Sequence, residues 1–119
     1  MNVEAVLARR RAERAALLDR AAGFADGLDP ALGVRAVAVF GSVARGDFNV
    51  WSDIDVLVVV EDLPDSPLRR LDMLGPTPPR VQPVAWTPSE WHTQLARRNP
   101  IAVEAIEQGV WLAGSPEDL

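Results

Sequence analysis

The chain contains no cysteine. Neither a disulfide framework nor a thiolate-held metal can stabilise it, and its residue usage gives no sign of secretion. Lysine is missing as well: all twelve basic residues are arginine, a bias that a GC-rich genome produces without any functional cause. No apolar run approaches the roughly 18 to 20 residues of a membrane-spanning helix. The apolar stretch near the start is broken by Arg9, Arg10, Arg11, Glu13 and Arg14, so no signal peptide is expected and a cytoplasmic protein is the default. Positive charge is also in deficit. The formal net charge of −5 argues against broad, sequence-blind binding to a nucleic-acid backbone.

What remains is the composition of a soluble globular protein. The 119 residues are 48% apolar and 24% charged, which suits one core and leaves no room for two. A single domain over 1–119 is expected, with an N-terminal helix in 1–28. Asn2 is a plausible N-cap for that helix, and Val3, Leu7, Leu18 and Ala22 form a partial apolar stripe. Five arginines lie between Arg9 and Arg20, but Glu4, Glu13 and Asp19 share the segment. A solvated helix face is expected there rather than a patch for an acidic partner.

Val34 to Phe40 is a β-branched run between Gly33 and Gly41 and reads as a strand. Gly41-Ser42 then starts one helical turn that Gly46 closes. Asp53 to Val60 is almost continuously Ile, Val and Leu after its carboxylates, as in a strand covered on both faces near the middle of a sheet. Ser66-Pro67 and Gly75 bracket a short helix, and Arg80 to Trp86 reads as a strand whose Pro83 marks an edge or a bulge. Thr87-Pro88-Ser89-Glu90 is a capping box opening a helix that ends at Asn99-Pro100. A further helix to Gly109 and a short strand, Val110 to Leu112, complete the chain. The expected fold is α/β (α+β), a small mixed sheet of 3 to 4 strands flanked by helices.

Chemistry concentrates in residues 39–60, VFGSVARGDFNVWSDIDVLVVV. Alternate strand residues share a face, so Asp53 and Asp55 project together, their Cα atoms about 6 to 7 Å apart. Like charges so close raise each other's pKa unless a cation neutralises them, and a pair of carboxylates can share one Mg²⁺ or flank two. Gly41 allows close backbone approach, and Ser42 opens a turn whose free N–H groups suit phosphate. Phosphate and magnesium seats side by side describe a site for a nucleoside triphosphate. Asp-x-Asp at a strand start also serves as turn chemistry, and Arg45 can either touch phosphate or pair with Asp47. Trp51, which could stack on a base, is expected to pack in the loop or core, with Trp86, Trp91 and Trp111 in the core. His92, the sole histidine, is expected to be a surface or packing residue.

This stretch resembles the signature of the minimal nucleotidyltransferases (MNT), members of the polymerase-β-like superfamily. Their pattern of Gly-Ser, ten residues and Asp-x-Asp is matched by Gly41, Ser42, Asp53 and Asp55. The segments TPSEW and NPIAVEAIEQGVWLAG also look like the family's C-terminal helices and closing strand, so the resemblance covers most of 32–114. It implies a nucleotidyltransferase fold and transfer of a nucleoside monophosphate, such as AMP from ATP, to an acceptor hydroxyl, with two Mg²⁺ ions for full activity. Asp53 and Asp55 would be catalytic and metal-binding; Gly41, Ser42 and Arg45 would hold the nucleotide. Many members are antitoxins paired with a helical HEPN toxin, so that partner, or a homo- or hetero-oligomer, is implied.

The family usually places a third carboxylate on the following strand, where this chain has Gln82. Glutamine cannot act as a base and binds a hard cation weakly. Mg-triphosphate binding is therefore expected to survive while transfer is slow or absent. The alternative to an active enzyme is a catalytically weak antitoxin or binding subunit.

Overall fold

In the computed structural model, which describes residues 2–119, the first helix begins where its cap stands. Asn2 Oδ1 accepts the Glu4 N–H at 2.8 Å, and α1 (Val3–Asp26) follows. Its buried residues are Leu17, Ala21 and Phe24; of the expected stripe, Leu18 is partly buried and packs against the core, while Val3 and Leu7 are exposed. Val3 remains 69% exposed. Only the second half of α1 covers the sheet with apolar groups. The first half lies over the next helix and meets it through arginine side chains.

The remaining elements are β1 (Val34–Phe40), α2 (Gly41–Arg45), β2 (Ile54–Val60), α3 (Pro67–Leu74), β3 (Val81–Trp86), α4 (Pro88–Ala96), α5 (Pro100–Gln108) and β4 (Val110–Ala113). Proline stands at the first position of α3, α4 and α5, behind the caps Ser66, Thr87 and Asn99. The sheet order is β3-β2-β1-β4. β1 is antiparallel to both β2 and β4, while β2 and β3 are parallel, joined through α3. The four-stranded mixed sheet is the one expected from the chain's pattern, with β2 inside it.

β2 is apolar throughout because both faces are covered. Ile54, Val56, Val58 and Val60 join Val37, Val39, Leu17, Ala21 and Phe24 under α1. Leu57 and Val59 face the other way, with Ala36 and Phe40 of β1, against Trp91 of α4 and Ala102 and Ala105 of α5. Trp91 is the centre of that second layer; it meets Trp111 edge-on at 5.7 Å and Trp86 at 6.5 Å. Trp86 and Trp111 are only half-buried. β3 is an edge strand, blunted by Pro83, which has no N–H, and by Arg70, whose Nη1 donates to Ala85 O at 3.0 Å.

Candidate functional site

Three strand ends meet at one corner. Phe40, the last residue of β1, pairs with Asp55, and Asp55 pairs on its other side with Gln82 at the start of β3. Even-numbered β2 residues enter the α1 layer, so Asp55 points to the α4–α5 face, where Phe40 also lies. Asp53 stands just before β2 and is exposed; Asp55 is half-buried.

At that corner β1 turns directly into α2. Gly41 takes φ 76°, a left-handed conformation that disfavours any side chain. A Cβ there would overlap Asp55 Oδ2 and lie 3.3 Å from its Cγ. The carboxylate thus rests on the backbone of the Gly-Ser turn, with no side chain between them. Ser42 follows at the start of α2, and its carbonyl accepts the Gly46 and Asp47 N–H groups at 2.8 and 3.1 Å. Gly46, at φ 91°, ends the turn.

The charge balance is acidic. Asp55's carboxyl is held above its ordinary value, first by burial, then by the charges of Asp53 and Glu104, with Arg45 opposing. Arg45 pairs with Asp47 at 3.3 Å and also with Glu104 of α5 at 2.9 Å. Glu104 was not among the residues expected at this site. Its placement follows from α5 burying Ala102 and Ala105, which leaves Glu104 on the margin towards Arg45.

A divalent cation suits this corner in a limited way. Among the described residues no three carboxylate or imidazole groups converge into a protein-only metal cage. Asp53 and Asp55 would contribute two hard oxygen donors, so an ion there would need ligands from elsewhere, as when Mg²⁺ arrives with phosphates. The raised carboxyl of Asp55 and the glycine backbone packed against it fit that arrangement.

Other singled-out residues fall elsewhere. Trp51 is not packed; it is 88% exposed at the tip of the loop before Asp53, because the turn around it is closed by polar groups. Asn49 Oδ1 accepts the Trp51 N–H at 2.8 Å, and Ser52 Oγ accepts the Asn49 N–H at 2.9 Å. His92 is exposed on α4 and bonds through Nε2 to Leu119 O at 2.5 Å. Arg10 and Arg14 of the N-terminal cluster are not merely solvated: they reach backbone carbonyls of residues 43–48.

Two surface hollows flank β3. One of about 540 Å³ borders Gln82, Gly75 and Thr77. Another of about 400 Å³ lies between α3 and the outer side of β3. Arg70 and Glu90 of the latter are already engaged, since Arg70 donates to Pro64 O and to both Glu90 oxygens.

Comparison with known proteins agrees with this architecture. A putative nucleotidyltransferase from Sulfolobus solfataricus, known from its crystal structure, superposes with a TM-score of 0.63 at 20% identity, over 86% of this chain and 84% of that one. A toxin–antitoxin crystal structure with AMP-PNP superposes with a TM-score of 0.53, also at 20% identity, over 84% of this chain and 75% of that one. No curated protein matches the sequence significantly. The family model for the nucleotidyltransferase domain matches residues 21–112. With most of its length inside that match, the chain belongs to the nucleotidyltransferase domain family.

Proposed function

We propose that the chain binds a magnesium nucleoside triphosphate across Gly41, Ser42, Asp53 and Asp55, and transfers its nucleoside monophosphate to an acceptor hydroxyl. The observation that carries this reading is the contact between Asp55 and the bare backbone of Gly41. That contact supports reading the Gly-Ser turn and the acid pair as one site. Arg45, three residues beyond Ser42 at the end of α2, would exchange its carboxylate partners for phosphate oxygens. Magnesium, held by Asp53 and Asp55, would supply screening of the phosphate charge. The acceptor oxygen would bond to the α-phosphorus as the bond to the departing pyrophosphate breaks, the hydroxyl proton passing to solvent water.

The acceptor is read as a hydroxyl on a HEPN-type toxin and the group as AMP, in a cytoplasmic toxin–antitoxin pair. Support comes from the sequence resemblance and from a structural neighbour that is itself a toxin–antitoxin assembly with AMP-PNP.

A second reading has its own support. Gln82 is the residue paired with Asp55 on β3, so the expected third-acid position carries a neutral amide that cannot take the acceptor's proton. Nucleotide binding would then outlast efficient transfer, leaving a binding subunit. One experiment separates the two: titrate Mg-ATP into the protein, then follow labelled AMP onto the partner. Binding that Asp53→Ala weakens at least about tenfold supports the shared site. Transfer that is slow and rises in Gln82→Asp supports the second reading; brisk transfer by the unsubstituted protein refutes it. Absence of Mg-dependent ATP binding refutes both.

A further inference from the structure

The segment between the Gly-Ser turn and the carboxylates is gripped along its backbone. Arg14, from α1, donates Nε–H to Val43 O at 2.9 Å and Nη2–H to Ala44 O at 2.8 Å. Arg10, one turn earlier, donates from Nη2 to Gly46 O at 3.0 Å and Phe48 O at 2.7 Å, and its guanidinium lies 4.0 Å from the centre of the Phe48 ring. Arg80, just before β3, donates to Asn49 O at 3.2 Å and, from Nε, to Ser52 O at 2.8 Å. Counting the second Arg80 bond to Ser52, three guanidinium groups make seven hydrogen bonds to six carbonyls between residues 43 and 52.

The local bonds of this connection close only the short turn of α2 and the polar turn at Asn49–Ser52, and fixing the rest costs about 1 to 2 kcal/mol per residue in backbone entropy. Charged donors reduce that cost. Those of Arg10 and Arg14 also sit at the C-terminal end of α2, where its last carbonyls carry negative charge. Arg80 itself adopts φ 72°, an unfavourable conformation for a residue with a side chain, retained where its surroundings determine it. Its own carbonyl accepts the Ile54 N–H at 2.7 Å. The side chain and the backbone of one residue thus bracket Asp53 from both sides.

We infer that Arg10, Arg14 and Arg80 are positioning residues of the nucleotide site, setting the distance between the phosphate turn at Gly41-Ser42 and the carboxylates of Asp53 and Asp55. This rests on the nucleotide-binding reading above. The guanidinium fork does this work, because one head group spans two carbonyls; a lysine ammonium keeps the charge but not the paired geometry. A displacement of about 1 Å between the two halves of such a site is enough to cost about a hundredfold in function.

The test uses Arg10→Lys, Arg14→Lys and Arg80→Lys in the full chain, with Arg35→Lys as control. Arg35 pairs with Glu61 at 2.7 Å and donates to Asp118 O, at the opposite end of β1. Two measurements are made on proteins with unchanged circular dichroism: Mg-ATP affinity by calorimetry, and amide hydrogen exchange of residues 43–53 without nucleotide. Expected are affinity losses of about tenfold or more in the three site variants, faster exchange confined to 43–53, and no change in the control. Parental affinity in Arg10→Lys and Arg14→Lys overturns the inference while leaving the nucleotide reading intact. If the unsubstituted protein binds no Mg-ATP, both fall. Should Arg80→Lys fail to fold, the two α1 variants decide alone.

Discussion

Gly41 carries two constraints at once, a left-handed φ and a carboxylate pressed against its α-carbon. Gly41→Ala should therefore destabilise the protein by at least about 1 kcal/mol through backbone conformation alone. It should also displace Asp55 and abolish Mg-ATP binding, read by thermal melts and calorimetry. Asp55 behaves in the opposite sense. Its carboxyl is raised by burial, Asp53 and Glu104, so the folded state holds the proton more tightly than the unfolded chain does. Stability contributed at low pH is lost as pH rises from the ordinary carboxylate value through the raised one. Asp55→Asn should accordingly melt higher than the parent at pH 7, with the difference closing in acid, while nucleotide binding is lost. A variant that melts lower at pH 7 contradicts this. Gly41, Ser42, Asp53 and Asp55 stand out as candidates in the sequence because they follow a local spacing. Glu104, Arg10, Arg14 and Arg80 do not: their partners lie 28 to 59 residues away, and no periodicity reports such a contact.

Helix starts were the most readable elements, since caps are local chemistry. Asn2, Ser66, Thr87 and Asn99 all accept the hydrogen bonds their side chains suggest. Thr87 is the most complete case: Thr87 Oγ1 accepts the Glu90 N–H at 3.1 Å, and Glu90 Oε1 accepts the Thr87 N–H at 2.9 Å. Thr87→Ala should cost about 1 kcal/mol, measured by denaturant unfolding. Arg70 ties the same Glu90 to α3, and its hydrogen bonds, ahead of any other stabilising contact, hold the Glu90 carboxyl below its usual range. That contribution is present at neutral pH and is lost as acid titrates Glu90 through its lowered value. The buried face of α1 was less readable. Ala and Leu occur on every side of the helix, so composition marks a helix without marking its inner face. The sheet could be foreseen in kind because β2 is apolar without alternation and Pro83 confines β3 to an edge.

At the scale of the whole molecule, two apolar layers hold the sheet, and the site corner belongs to both. α2 packs with Val43 in the α1 layer, while Asp55 opens towards α4 and α5. Trp91 is 1% exposed at the centre of the second layer. Trp91→Ala should remove about 3 to 5 kcal/mol and loosen α5, detected as a lower melting temperature together with weaker Arg45–Glu104 pairing. The interaction of α1 with residues 43–48 has a different consequence, one for descent rather than for folding. Its arginines contact main-chain oxygen, which every amino acid possesses. Most positions from Val43 to Ser52 can therefore drift in identity while the grip persists. A single inserted or deleted residue would shift each oxygen past its guanidinium. Among relatives, this stretch should vary freely in its letters and hardly at all in its count.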